Sequence, residues 1–108
     1  MFNTSFYEIV KNHNQTINII NCALREIEKE INRYIENDPA VTLFSYDPLC
    51  TEYNHCFTFD YPNVILSLPP LKITISYREI IENLKGQVDN NLIIEQAIEK
   101  IILDHIQL

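Results

Sequence analysis

The sequence predicts an α+β domain: a long N-terminal helix, an antiparallel sheet of three to four short strands, and two C-terminal helices packed on one face. Three observations predict it. Apolar residues recur at alternating steps of three and four between Ile17 and Tyr34. They recur at steps of two within Cys56–Tyr61 and Leu71–Tyr77, and helical spacing returns after Tyr77. The 108 residues fit one domain, 1–108. A chain of that length buries roughly two-thirds of its unfolded surface, enough for a core without metals or disulfides.

The first helix is expected over residues 4–37. Ser5-Phe-Tyr-Glu8 fits a capping box at its start. Val10, Ile17, Ile20, Leu24, Ile27, Ile31 and Tyr34 make its apolar stripe, with Glu26, Glu28, Lys29, Glu30 and Arg33 mostly off it. Asn12-His13-Asn14 is a weak point where the helix is expected to bend or restart. Asn37-Asp38-Pro39 is its stop. A coiled-coil seam would need a longer run, so a core-facing helix is the preferred reading.

Four strands follow. Val41–Tyr46 ends at Asp47-Pro48. Cys56–Tyr61 alternates, with Phe57, Phe59 and Tyr61 read as the core side and Cys56, Thr58 and Asp60 on the other. Pro62-Asn63 turns the chain into Val64–Leu68, and Pro69-Pro70 separates that strand from Leu71–Tyr77, whose Leu71, Ile73, Ile75 and Tyr77 point inward. Connections this short imply an antiparallel meander.

Helix 77–85 opens on a second capping box, Ser76-Tyr-Arg-Glu79, and Gly86 is placed to cap its end. The last helix runs from about Asn90 to Ile106. Its nine apolar residues cover more than half its circumference, which predicts burial on two sides, between sheet and first helix or against another subunit.

Composition removes several function classes. Glycine occurs once, at Gly86, against about 7% in ordinary proteins. Phosphate loops, nucleophile elbows and dinucleotide fingerprints need glycine for close backbone approach, so none is built here in standard form. The net charge of −7 opposes phosphate-backbone binding and anionic membrane surfaces, so neither nucleic acid nor membrane is an expected partner. Three cysteines, Cys22, Cys50 and Cys56, without a dense framework indicate a reduced, cytoplasmic setting, and residues 1–16 lack the pattern of a signal peptide.

Chemistry has little to stand on. His55, Cys50, Cys56 and Asp60 lack the spacing of a metal site. His55 and Cys56, as strand neighbours, face opposite ways and cannot form a nucleophile–base pair. Asp47, Glu52 and Asp60 have no spacing that forces them to converge as an acid–base pair. His13 reads as a helix-edge residue and His105 as a dipole-favoured C-terminal one. No enzyme, cofactor or metal is expected.

Binding is better supported. From Tyr34 to Leu71 the chain has no lysine or arginine, yet it carries Glu36, Asp38, Asp47, Glu52 and Asp60 and seven of the eleven aromatics. Acidic groups interleaved with tyrosines suit a basic protein partner. The expected partner-binding residues are Tyr46, Asp47, Glu52, Tyr53, Asn54 and Asp60. By analogy of size, charge and fold class, the expectation is an immunity or inhibitor protein that caps a basic toxin enzyme such as a nuclease. The alternative is a dimeric acidic secretion chaperone binding an effector client, and the apolar last helix leaves homodimerisation open.

Overall fold

The computed structural model describes residues 4–37, 56–68 and 71–106, with side chains of 35–37 excepted. Helix α1 spans Thr4–Asn37. Strands β1 (Phe57–Asp60), β2 (Asn63–Leu68) and β3 (Leu71–Ser76) form a sheet in the order β1-β2-β3. Helices α2 (Tyr77–Leu84) and α3 (Asn91–His105) complete the α+β fold. The expected strand Val41–Tyr46 and the stop at Asp38-Pro39 lie outside the described residues.

Both strand pairs are antiparallel. Phe57 opposes Leu66 and Phe59 opposes Val64, while Leu66 opposes Ile73 and Val64 opposes Ile75. That register puts all six side chains on one face. The other face carries Thr58, Ile65 and Thr74 in a row, flanked by Ser67 and Lys72. It is polar apart from the half-buried Ile65.

The three helices cover the apolar face. Ile20, Leu24, Ile80, Ile94 and Ile98 are fully buried there, beside Phe57, Val64 and Ile75. Burying each such side chain contributes about 1.5–3 kcal/mol, so this layer is the main stabilising term.

Helix α1 is continuous through Asn12-His13-Asn14, where a bend was expected. Polar residues of modest helix propensity lower stability by only a few tenths of a kcal/mol each, about what flanking turns and the docked C-terminal half offset. Ser5 is helical, so it is no N-cap. At 1.5 Å per residue the helix is about 51 Å long, close to the molecule's 56 Å longest axis. Thr4–Gln15 are all exposed, and full burial begins at Ile20. Val10 and Tyr34, assigned to the buried stripe, are 43% and 70% exposed because they lie beyond the two ends of the packed layer.

Local signals placed the later helices well. Ser76 Oγ accepts from the Glu79 N–H at 3.1 Å, and Asn90 Oδ1 accepts from the Leu92 and Ile93 N–H groups. The α2 cap is Lys85, at φ 52°, ψ 40°, with Gly86 following at φ 80°. Two successive left-handed residues end the helix where one was expected.

Helix α3 packs on α1, α2 and β3. Ile94, Ile98 and Ile101 are its buried residues, whereas Leu92 and Leu103 are 60% and 68% exposed. Its apolar surplus therefore faces outward in part, rather than being enclosed on two sides within the chain.

Candidate protein-binding surfaces

Two surfaces emerge, one at the β1–β2 turn and one between α1 and α3. At the first, β1 ends at Asp60 and the chain reverses through Tyr61-Pro62, joined by a cis peptide bond. The Tyr77 N–H donates to the Pro62 carbonyl at 3.0 Å, which fastens the turn to the start of α2. The Tyr61 ring stacks on that of Tyr77, with centroids 5.7 Å apart and planes at 29°. Its hydroxyl lies 3.0 Å from His13 Nε2 on α1. Tyr77 in turn donates its hydroxyl to Asn21 Oδ1 at 2.6 Å. Burial pushes the Tyr77 phenol up, while Asn21 and the Arg25 charge pull it down by less.

Tyr61 is 63% exposed despite these contacts. The alternation of Cys56–Tyr61 predicts it to be sheet core. The alternation rule placed it inward only because it treated the strand as continuing past Asp60; the strand stops there and the ring swings to the turn. Phe57 is core, as expected. Phe59 is half-buried, with the Arg25 guanidinium 4.2 Å from its ring centroid.

Of the expected partner-binding residues, Asp60 is exposed at the end of β1, opposite Asn63. Tyr46, Asp47, Glu52, Tyr53 and Asn54 lie outside the described residues, as do His55 and Cys50. Asp60 thus stands next to an aromatic ring that α1 and α2 hold in place.

No protein-family model, curated protein or solved structure matches the chain.

The second surface includes none of the expected partner-binding residues, although the apolar last helix leaves a contact with another subunit open. Ile27, Glu30, Ile31 and Tyr34 of α1 and Glu99, Ile102 and Leu103 of α3 line a groove of about 250 Å³. Glu95, outside the lining, is close enough to Glu30, Glu26 and Glu99 to feel their charges. It sits where its solvation is reduced and where those three carboxylates crowd it, and both effects raise its pKa, burial being the largest single cause. Glu26 is bonded to Lys29 at 3.0 Å. The clue in the sequence was the surplus of apolar residues on the last helix, which exceeds what one sheet and one helix can cover.

Neither surface holds the elements of a metal centre. Among the described residues no group of three or more His, Cys, Asp or Glu side chains converges. His105 Nε2 lies 3.4 Å from Glu79 Oε2, which links α3 to α2. Cys56 is buried, and its thiol is pushed up to about 12 by burial and by the neighbouring Glu28 carboxylate. A thiol so protonated is a poor nucleophile. Among the described residues no helix is long and apolar enough to cross a membrane.

Proposed function

We propose that this chain is a small acidic protein-binding module of the immunity or inhibitor kind. It neutralises a basic toxin enzyme, such as a nuclease, in the cytoplasm by covering the enzyme's active site. The observation that carries this reading is the Asp60–Tyr61 pair. Tyr61 is exposed yet held by Tyr77 and His13, so it gives up little conformational freedom on binding. Asp60 beside it, within a sequence stretch from Tyr34 to Leu71 that carries acids but no lysine or arginine, would draw in a cationic catalytic groove and set its register.

The test begins with the tagged chain in its own host and identification of what co-purifies at low and at moderate salt. A basic enzyme recovered in near-equal amount, released as salt rises and inhibited by the purified chain, supports the reading. Asp60→Lys and Glu52→Lys should each weaken that complex. Unchanged inhibition by both reversals would remove Asp60 and its neighbours from the interface.

A second reading, a dimeric secretion chaperone, is favoured by one observation. Ile9 and Val10 on the first turns of α1 are 68% and 43% exposed, an apolar surface that a second copy would cover. A stable dimer by light scattering, with no enzyme captured, would favour it over the inhibitor.

A further inference from the structure

We propose that the groove between α1 and α3 is a docking site for an amphipathic helix of a basic protein, which seats apolar side chains over Ile31 and Ile102 and sets lysine or arginine against Glu30 and Glu99. This rests on the reading of the chain as a protein-binding module, and adds to it a second contact surface and the chemistry of what that surface takes.

Shape is the first argument. Two packed helices leave a furrow between them, and a third helix fits such a furrow by laying its side-chain ridge along it. The volume of about 250 Å³ falls below the roughly 300–1,000 Å³ of small-molecule pockets. It suits one or two anchoring side chains rather than a cofactor.

The lining is the second. The floor is Ile27, Ile31 and Ile102, and the walls are Tyr34 and Leu103. Those two walls are 70% and 68% exposed, among the most exposed large apolar side chains in the described residues. Covering them removes apolar surface from water at about 25 cal/mol per Å². Tyrosine is among the residues enriched at interface hot spots, so the Tyr34 wall suits a binding surface.

Charge selects the occupant. Glu30 and Glu99 line the edges, and Glu95 lies close enough to both, and to Glu26, to feel their charges; Glu26 is bonded to Lys29. A second copy packed groove to groove would set carboxylates against carboxylates, which opposes that association. A helix carrying lysine or arginine on either side of its apolar stripe relieves the crowding instead. Glu30 and Glu99 flank the apolar floor from opposite helices, so the basic residues are needed on both flanks.

The test uses the full chain, isotopically labelled, and a synthetic 15-residue helical peptide. The peptide has leucines at i, i+4, i+7 and i+11 and lysines flanking them. A control of identical composition has its leucines scattered around the helix. Amide shifts should move, saturably, at Glu30, Ile31, Glu99 and Leu103, with Asp60 and Tyr61 unmoved. The scattered control should bind about tenfold more weakly, and so should the designed peptide to Leu103→Asp. Leu103 is exposed, so that variant keeps its core; an unchanged amide spectrum outside α3 verifies this. Three results overturn the proposal: shifts centred elsewhere, equal binding of both peptides, or concentration-dependent broadening of the groove amides without peptide, which would assign the groove to a second copy. Inhibition of a captured enzyme that survives Leu103→Asp and Glu99→Lys would also reject the groove while leaving the inhibitor reading standing. A failed capture with intact peptide binding would do the opposite.

Discussion

Glu28 Oε2 accepts the backbone N–H of Phe57 at 3.0 Å across 29 positions of sequence, and that bond fastens α1 to the first residue of β1. Its other oxygen takes a 2.8 Å bond from Arg25, whose guanidinium also covers the Phe59 ring. Glu28 is only 4% exposed. A carboxylate buried so deeply persists because it is both paired and hydrogen-bonded. Glu28→Ala removes the acceptor of the Phe57 N–H and the buried carboxylate that Arg25 bonds, and should lower stability by about 3 kcal/mol. Glu28→Gln keeps an acceptor but gives up the charge, and should lose about half as much. Urea unfolding of both variants checks this. A loss below about 0.5 kcal/mol for the alanine variant would match an ordinary surface site and sink the assignment.

The two described cysteines should behave as opposites. Cys22 is exposed and Cys56 is buried. At pH 8 a thiol reagent should modify Cys22 within minutes and reach Cys56 only as the protein opens, so that Cys56 labelling tracks global unfolding in denaturant. The raised pKa also has a sign for stability. An acid harder to ionise in the folded state than in the unfolded one stabilises the fold below its unfolded pKa. That contribution is lost as pH climbs from about 9 toward about 12, at up to about 1.4 kcal/mol per pH unit. Tyr77, raised in the same direction, adds to the alkaline loss. Cys56→Ala should flatten the alkaline slope of the melting temperature even while it lowers the melting temperature itself. An unchanged slope would mean that Cys56 is not the titrating group.

Glu95 lies among the carboxylates beside the groove. Reduced solvation, then Glu30 and Glu26 of α1 and Glu99 of its own helix, disfavour its ionised form; Lys29 is engaged with Glu26. Its folded pKa lies above its ordinary 4.5. The protonated form therefore favours the fold below that value, and the contribution disappears as pH rises through the folded pKa. Lysine or arginine brought into the groove reverses the crowding, so binding a basic helix releases a proton in the window between the ordinary and the raised pKa of Glu95 and tightens as pH increases through it. Calorimetry of the lysine–leucine peptide in buffers of different ionisation heat measures that proton directly. Glu95→Gln should abolish the release, and a buffer-independent heat for the parent chain would refute the linkage.

Where signals are local, residues alone revealed the structure. Ser76 and Asn90 each cap a helix that starts next to them, and the strict alternation of Leu71, Ile73 and Ile75 needs only its own strand. Three positions resisted. Glu28 stands i+4 from Leu24 and i+1 from Ile27, so it borders the apolar stripe, and only the approach of the Phe57 N–H makes its burial favourable. Tyr61 follows a clean alternation, but a strand ends where its partner ends, and β2 begins at Asn63. The groove depends on which side of α3 meets α1. A surplus of apolar residues announces an outward-facing side without saying which residues line it.

Tyr61 and Tyr77 provide the sharpest separation of fold from function, because stacked rings with such different burial should fail in different assays. Tyr77 is 3% exposed, and its hydroxyl holds Asn21 at 2.6 Å. Tyr77→Phe keeps the stack and loses that bond, so stability should fall by about 1 kcal/mol while binding to a basic enzyme is nearly unchanged. Tyr61 is 63% exposed, and its removal empties no core. Tyr61→Ala should change stability by less than about 1 kcal/mol yet weaken the complex by more than tenfold, as truncating an aromatic anchor at an interface centre does. Tyr61→Phe isolates the His13 contact; it should fall between wild type and alanine in affinity, because the ring stays stacked but loses the bond that fixes its tilt. Melting curves and titrations on the same three preparations decide the matter. Equal affinity across all three would leave Tyr61 a packing residue of the turn and move the interface away from Asp60.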